Sequence, residues 1–293
     1  MWNNGKRLLS LQVALICLVL SLAGCQGHAE ESQAPSAESV PVDYTLTFQT
    51  EGGMAIDGVM VKVFEDSSLT DLVYAAMTDR EGKLSFTAEG SNPYVAVIYP
   101  EKQGYVTDKF YPITEKDTVV KVKTAPYFVT DTSGLSLRLG DIIPDFHITC
   151  TDGTQLSIAD LLTEKKAVVL NFWFIGCGPC RMEFPYLEQA YGEYKDRLEV
   201  IAINPYDGTD TTVSAYAEQL ALTFPVASAD RFWQSAMNLR AYPTTVVVDR
   251  YGMICLVHVG AITTPEPFAK LFDFVTSDNY VQKTYQTMEE MNP

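Results

Sequence analysis

Histidine is scarce in this chain, and most of its cysteines are single. His28, His147 and His258 lie far apart, and Cys17, Cys25, Cys150 and Cys255 each stand alone. A structural zinc site takes four Cys or His ligands, usually with a second close pair. The one close pair, Cys177 and Cys180, therefore does not complete such a site, and no metal is expected. Basic residues are also few: 21 Lys and Arg stand against 37 Asp and Glu, a formal net charge of −16. Such acidity argues against nucleic acid as a partner and disfavours electrostatic adhesion to anionic lipid. No flavin or nicotinamide motif is present, so no such cofactor is expected. The apolar run Leu8 to Leu22 is too short and too near the start to read as a membrane span.

That run reads instead as the core of a secretory signal over residues 1–24, with Lys6 and Arg7 as its charged leader. It ends in Leu22-Ala23-Gly24-Cys25, which resembles the bacterial lipoprotein processing box. The resemblance implies cleavage before Cys25, a lipid on that cysteine, and an anchored location outside the cytoplasmic membrane; the alternative is ordinary cleavage nearby with Cys25 left free. Loss of the two charges of Lys6 and Arg7 would leave the mature chain near about −18. Residues 25–42 are rich in Ser, Ala, Glu and Gln and too poor in apolar side chains to fold, so they read as a tether, with His28 solvated. In an extracytoplasmic setting a reduced dithiol has to be kept reduced by a donor.

The remainder is long enough for two cores, and two domains are expected: an all-β sandwich followed by an α/β domain with a mixed central sheet and helices on both faces. Residues 43–124 alternate with period two in Tyr44, Leu46 and Phe48, in Val59, Val61 and Val63, and again over 84–86, 94–99 and 119–123, which indicates half-buried antiparallel sheet. Asp79-Arg80-Glu81-Gly82 reads as a β-turn. The order Gly58-Val59-x-Val61, Thr78-Asp79-x-x-Gly82-x-x-x-Phe86 and Tyr94-x-Ala96-Val97 resembles the transthyretin-like or carboxypeptidase-regulatory-like sandwich. No catalytic constellation is visible there, and a spacer or docking role is the default. Residues 125–137 form a linker, 138–278 the second domain, and 279–293 a tail that offers no reading.

Within the second domain, Asp152-Gly153 marks a hairpin turn, and Ser157 caps a short helix over 158–162. The apolar run 167–174 reads as a buried strand that leads through Cys177-Gly178-Pro179-Cys180 into a helix kinked by Pro185. Strand 199–204, helix 212–222, edge segment 224–227, helix 231–239, a hairpin over 244–259 and helix 267–275 follow. A strand that delivers two cysteines to a helix N-terminus suits dithiol chemistry. The helix end stabilises the Cys177 thiolate, and Cys180, one turn further in, can attack a mixed disulfide and release the product.

Residues 136–277 resemble thioredoxin-fold proteins, and most closely the TlpA/ResA group of membrane-anchored extracytoplasmic thiol-disulfide oxidoreductases. The resemblance rests on Gly140-Asp141-x-x-Pro144-Asp145-Phe146, Asp152-Gly153, Leu170-Asn171-Phe172-Trp173, Cys177 through Pro185, and Tyr242-Pro243-Thr244-Thr245. It implies that Cys177 is the nucleophile, Cys180 the resolving thiol and Cys177–Cys180 a redox-active disulfide, with no other cofactor. Pro243 matches the family's cis-proline, which would turn the Tyr242 backbone toward a substrate strand; a trans proline opening a strand is the alternative. Trp173, Gly178, Pro179, Tyr242 and Pro243 form the expected substrate surface, with core packing the alternative for Trp173.

Thioredoxin itself keeps a buried aspartate in the strand before the pair; here that position is Asn171, which does not titrate. Glu183 is the nearest carboxylate, and ResA-like proteins carry a functional glutamate at this point. A raised pKa would suit it to acid/base work, whereas complementing the helix dipole is its structural alternative. Cys150 and Cys255 read as buried strand thiols whose pairing stays open, and His258 as a structural histidine.

The leading expectation is thus a tethered disulfide reductase. Its partners would be a disulfide-bearing exported protein, apocytochrome c being one such client in the group, and a membrane electron donor that re-reduces it. A peroxiredoxin-type thiol peroxidase shares the fold but needs a threonine before its cysteine, and Phe174-Ile175-Gly176-Cys177 lacks one. A non-catalytic binding lipoprotein led by the sandwich is the third reading.

Overall fold

The computed structural model describes residues 40–89, 94–99, 103–207, 209–228 and 231–291. Residues 1–24, expected to form a signal, Cys25, the expected lipid-bearing cysteine, and most of the expected tether lie outside the described residues. Among the described residues eight strands come first: β1 (Pro41–Thr50), β2 (Met60–Phe64), β3 (Leu72–Met77), β4 (Lys83–Glu89), β5 (Tyr94–Tyr99), β6 (Tyr105–Val106), β7 (Tyr111–Ile113) and β8 (Asp117–Thr124). They form two four-stranded sheets, ordered β4-β1-β8-β6 and β3-β2-β5-β7. Period-two alternation places Tyr44, Leu46 and Phe48 of β1, Val61 and Val63 of β2, and Val120 and Val122 of β8 in one shared apolar core.

Two features of this region depart from the expected pattern. β1 and β8 run parallel, Thr45 facing Asp117 and Thr50 facing Val122. The first and last strands lie side by side, and the second sheet supplies the long crossover a parallel pair requires. β3 also goes unread in the sequence, because as an edge strand beside β2 it keeps Leu72, Tyr74 and Met77 exposed and shows no clean alternation. The turn before β4 does follow its sequence signature. Gly82 has φ +73°, and a Cβ there would sit 2.4 Å from the Phe48 carbonyl oxygen, so glycine is required. Asp79 Oδ1 accepts from the N–H groups of Glu81 and Lys83.

The second half contains the hairpin β9 (His147–Thr149) and β10 (Gln155–Ser157), then α1 (Ile158–Glu164), β11 (Ala167–Phe172), α2 (Gly178–Tyr194), β12 (Leu198–Asn204), α3 (Asp210–Gln219), β13 (Val226–Ser228), α4 (Phe232–Ala236), β14 (Thr244–Asp249), β15 (Ile254–Val259) and α5 (Pro265–Thr276). Five strands make a mixed sheet, ordered β13-β12-β11-β14-β15; β11, β12 and β13 are parallel, and β14 and β15 antiparallel to their neighbours. Every residue of β11 is buried because both faces are covered. Ala167 and Val169 pack toward Phe184 and Leu187 of α2 and Phe268 and Phe272 of α5. Val168, Leu170 and Phe172 pack toward Ile158 of α1 and Trp233 of α4. The kink expected at Pro185 does not interrupt α2, which continues to Tyr194; the proline withholds one N–H from the helix.

The C-terminal tail is built into the fold. Tyr285 N–H donates to the Cys255 carbonyl at 2.9 Å, Tyr280 Oη donates to Asp249 Oδ2 at 3.0 Å, and Gln282 N–H donates to the Gly52 carbonyl at 3.0 Å. The last bond reaches the N-terminal sheets, as does the bond from Thr124 Oγ1 to the Tyr251 carbonyl at 3.0 Å. These seam contacts gather at the Asp249–Gly252 turn. Ala167 of β11 lies opposite Asp249 and Phe172 opposite Thr244, so the seam and the cysteine pair sit at opposite ends of β11, about 17 Å of strand apart.

Candidate active site

β11 ends at Phe172, and a short turn, closed by Cys177 N–H donating to the Phe174 carbonyl at 3.0 Å, carries the chain into α2. Cys177 is the N-cap of α2: its Sγ accepts from Cys180 N–H at 3.1 Å. No acidic side chain occupies the first turn, so the positive helix end acts on this sulfur without a competing anion. Cys177 and Cys180 are joined by a disulfide with Cα atoms 5.3 Å apart. Both are buried, Cys177 at 4% exposure and Cys180 at 1%. Gly178 is half-buried and Pro179 exposed, so this dipeptide forms the outer rim.

The buried stripe of α2 runs Cys180, Glu183, Phe184, Leu187, Ala190, Tyr191, the spacing of one helix face. Glu183 therefore lies one turn beyond Cys180 on the same buried side. It has no solvent exposure. Its Oε1 accepts from Asn171 Nδ2 at 2.8 Å, and its Oε2 accepts from Ile262 N–H at 2.8 Å. Burial pushes its pKa up to about 7, against the opposing effect of those two hydrogen bonds. A dipole-complementing surface glutamate would face water; this one is desolvated between β11 and the loop after β15. Asn171 Nδ2 also donates to Thr245 Oγ1 at 3.2 Å, which ties the amide to β14.

The Tyr242–Pro243 peptide bond is cis. The Pro243 carbonyl accepts from Gly260 N–H at 3.0 Å, and the half-buried Tyr242 ring meets Phe174 edge-on with centroids 5.5 Å apart.

Trp173 does not belong to the substrate surface. It is fully buried, edge-on to Phe184 at 5.3 Å and stacked near Tyr216 at 5.9 Å. Once the chain leaves β11 its side chain points into the α2 and α3 layer, and the indole becomes core. Cys150 and Cys255 are both free and buried, so the pairing left open by the sequence does not occur. Burial pushes the Cys150 thiol up to about 11 and raises Cys255 as well, leaving both unreactive. His258 is half-buried with its pKa lowered by burial, His147 is exposed, and among the described residues no group of three His, Cys, Asp or Glu could hold a metal.

One polar pair near the dithiol went unread. Asn204 ends β12, and Asp207, three residues on, accepts a hydrogen bond from Ile175 N–H. The signal was Asn204-Pro205-Tyr206-Asp207, an Asn-initiated turn.

Residues 139–257 match the AhpC/TSA family. The thioredoxin-like protein YneN of Bacillus subtilis (strain 168) is 35% identical over 139 residues, 47% of this chain and 81% of the relative. The thiol-disulfide oxidoreductase ResA of Halalkalibacterium halodurans is 34% identical over 129 residues, 43% of this chain and 71% of the relative. A crystal structure of a thioredoxin-family thiol:disulfide interchange protein from Chlorobium tepidum TLS covers 48% of this chain and 100% of its own at 24% identity, with a TM-score of 0.41. With its cysteine pair capping α2 and a cis-proline opening β14, this chain belongs to the ResA/YneN family of thioredoxin-fold thiol-disulfide oxidoreductases and is a protein-disulfide reductase.

Proposed function

We propose that the enzyme works outside the cytoplasmic membrane, held by lipid on Cys25, and reduces disulfides in other exported proteins. The cysteine pair of apocytochrome c is a fitting client. The buried Glu183 carboxyl, one turn from the resolving thiol, is the observation that carries the reductive reading. The Cys177 thiolate attacks one client sulfur, forms a mixed disulfide and expels the other client sulfur as thiolate. Glu183, poised near neutrality, takes the proton of Cys180. The Cys180 thiolate then attacks the Cys177 sulfur, the second client thiolate leaves, and Cys177–Cys180 is the oxidised product. Two electrons pass to the client, and Glu183 returns its proton to a leaving sulfur.

No dissociable cofactor enters this sequence, and a membrane electron donor restores the dithiol. The eight-stranded β region, transthyretin-like in its motifs, serves as the spacer; its seam at the far end of β11 leaves the dithiol face free.

The test is the reduction potential of the pair in the full chain, equilibrated in a glutathione buffer. A value near or below about −230 mV supports a donor-driven reductase, and one near about −120 mV would make it an oxidant. Rapid hydrogen-peroxide turnover with weak disulfide exchange would instead favour the peroxidase reading. Replacing Cys25 with Ala should release the protein from membranes.

A further inference from the structure

The exchange reaction described above makes no use of Asp207, yet this residue reaches the segment that carries the nucleophile. Its Oδ2 accepts from Ile175 N–H at 2.6 Å and from Asn204 Nδ2 at 2.8 Å. Asn204 is fully buried, and its Oδ1 accepts from Tyr206 N–H at 3.0 Å and Asp207 N–H at 2.9 Å. The carboxylate is thus aimed by its own turn, 32 residues further along the chain than the amide it holds. Ile175 lies within the Phe174–Cys177 turn, outside both β11 and α2. A short charge-assisted bond is among the stronger hydrogen bonds, and here it fastens a turn that neither sheet nor helix holds.

The same contact brings two loops together. Tyr206, 53% exposed, lies with its ring 5.5 Å from Phe174, and Phe174 lies 5.5 Å from Tyr242 beside the cis bond. Three aromatic rings from three separate segments therefore meet around the turn that leads to Cys177.

We infer that Asp207 is a positioning residue for disulfide exchange: its carboxylate holds the 174–177 turn, and with it Cys177 Sγ, in attacking geometry, and seats Tyr206 against Phe174. Attack on a disulfide needs the three sulfurs nearly in line, so a loosened turn lowers the rate without touching the thiol itself. The inference rests on dithiol exchange at Cys177 and not on where the enzyme resides.

The test compares the full-length wild type with D207A and D207N, each fully reduced, with oxidised glutathione as the disulfide probe. D207A removes the acceptor and is expected to lose about tenfold in second-order rate. D207N keeps a carbonyl oxygen for Ile175 N–H and should recover at least half of the wild-type rate. The pH profile of Cys177 alkylation by iodoacetamide separates position from charge. Equal losses in D207N and D207A, with both profiles displaced alike, would assign the effect to charge and overturn the inference. D207A at the wild-type rate would overturn it too. D207S, too short to reach Ile175, repeats the test if D207A does not fold. A wild type that fails to exchange at all would sink the reductase reading itself, an outcome distinct from any of these.

Discussion

Asn171 Nδ2 donates to Glu183 Oε1 at 2.8 Å, in a place where neither side chain touches water. This neutral donor lets one carboxyl remain alone in the apolar layer, and burial lifts that carboxyl to about 7. Exchange that depends on Glu183 as base should therefore rise with pH through about 7, below the range set by the thiols. E183Q should flatten this limb and slow resolution by about 10²-fold at pH 7, within the usual span for a positioned base. Stopped-flow decay of the mixed disulfide checks it. An unchanged pH limb in E183Q would remove Glu183 from the reaction.

The same carboxyl links stability to pH. Its folded pKa, about 7, lies above its unfolded value near 4.5, so the folded state binds more protons between those limits. Stability should fall as pH rises from about 4.5 to 7 and level off above, with a contribution on the order of 3 kcal/mol. Asp249, raised to about 6 by burial, adds a slope of the same sign. The difference between wild type and E183Q isolates the glutamate: denaturant unfolding at pH 5 and pH 8 should show a smaller drop in E183Q. Equal drops in both chains would contradict the burial argument.

Their places on α2 give the two sulfurs separate fates: Cys177 is the N-cap, and Cys180 lies inside the first turn. C180S should accumulate a mixed disulfide through Cys177, visible by mass as the added client or glutathione, because the resolving sulfur is gone. C177S should form no such adduct at an appreciable rate, since Cys180 at 1% exposure lies behind the N-cap. An adduct in C177S as abundant as in C180S would reverse the assignment of nucleophile.

How much of this was legible depended on where each residue's partners lie. Ala167–Phe172 could be read because a strand covered on both faces is a continuous apolar run, Cys177 and Cys180 because their close spacing between that strand and a helix is itself a motif, and Glu183 because it is the nearest carboxylate to the pair and matches the resembled group. Alternation in β1 and β8 revealed strands but not their parallel pairing, which depends on partners about seventy residues apart. Trp173 was misplaced because adjacency to a cysteine motif says nothing about the side a chain takes on leaving a sheet. Asp207 was missed because its partner is a backbone amide, which leaves no mark in residue type. The tail was opaque for a related reason: Tyr280, Gln282 and Tyr285 find partners in Asp249, Gly52 and Cys255, three places remote from one another in the chain.

That tail also carries the seam between the N-terminal sheets and the five-stranded sheet. A Cβ on Gly52 would lie 2.4 Å from Gln282 Cβ and 2.7 Å from Tyr251 Cε2, so G52A cannot be accommodated without moving the tail or the Asp249–Gly252 turn. Overpacking of this kind costs about 1–3 kcal/mol. The strain falls at the Asp249 end of β11, while Cys177 follows the Phe172 end. G52A should therefore lower the denaturation midpoint yet leave the rate of reduced protein with oxidised glutathione within about twofold of wild type. Equilibrium unfolding and the exchange rate, measured on the same preparation, decide it. A rate that fell together with stability would mean that the seam, and the eight-stranded region behind it, holds the dithiol face in shape; the spacer reading would then have to be given up.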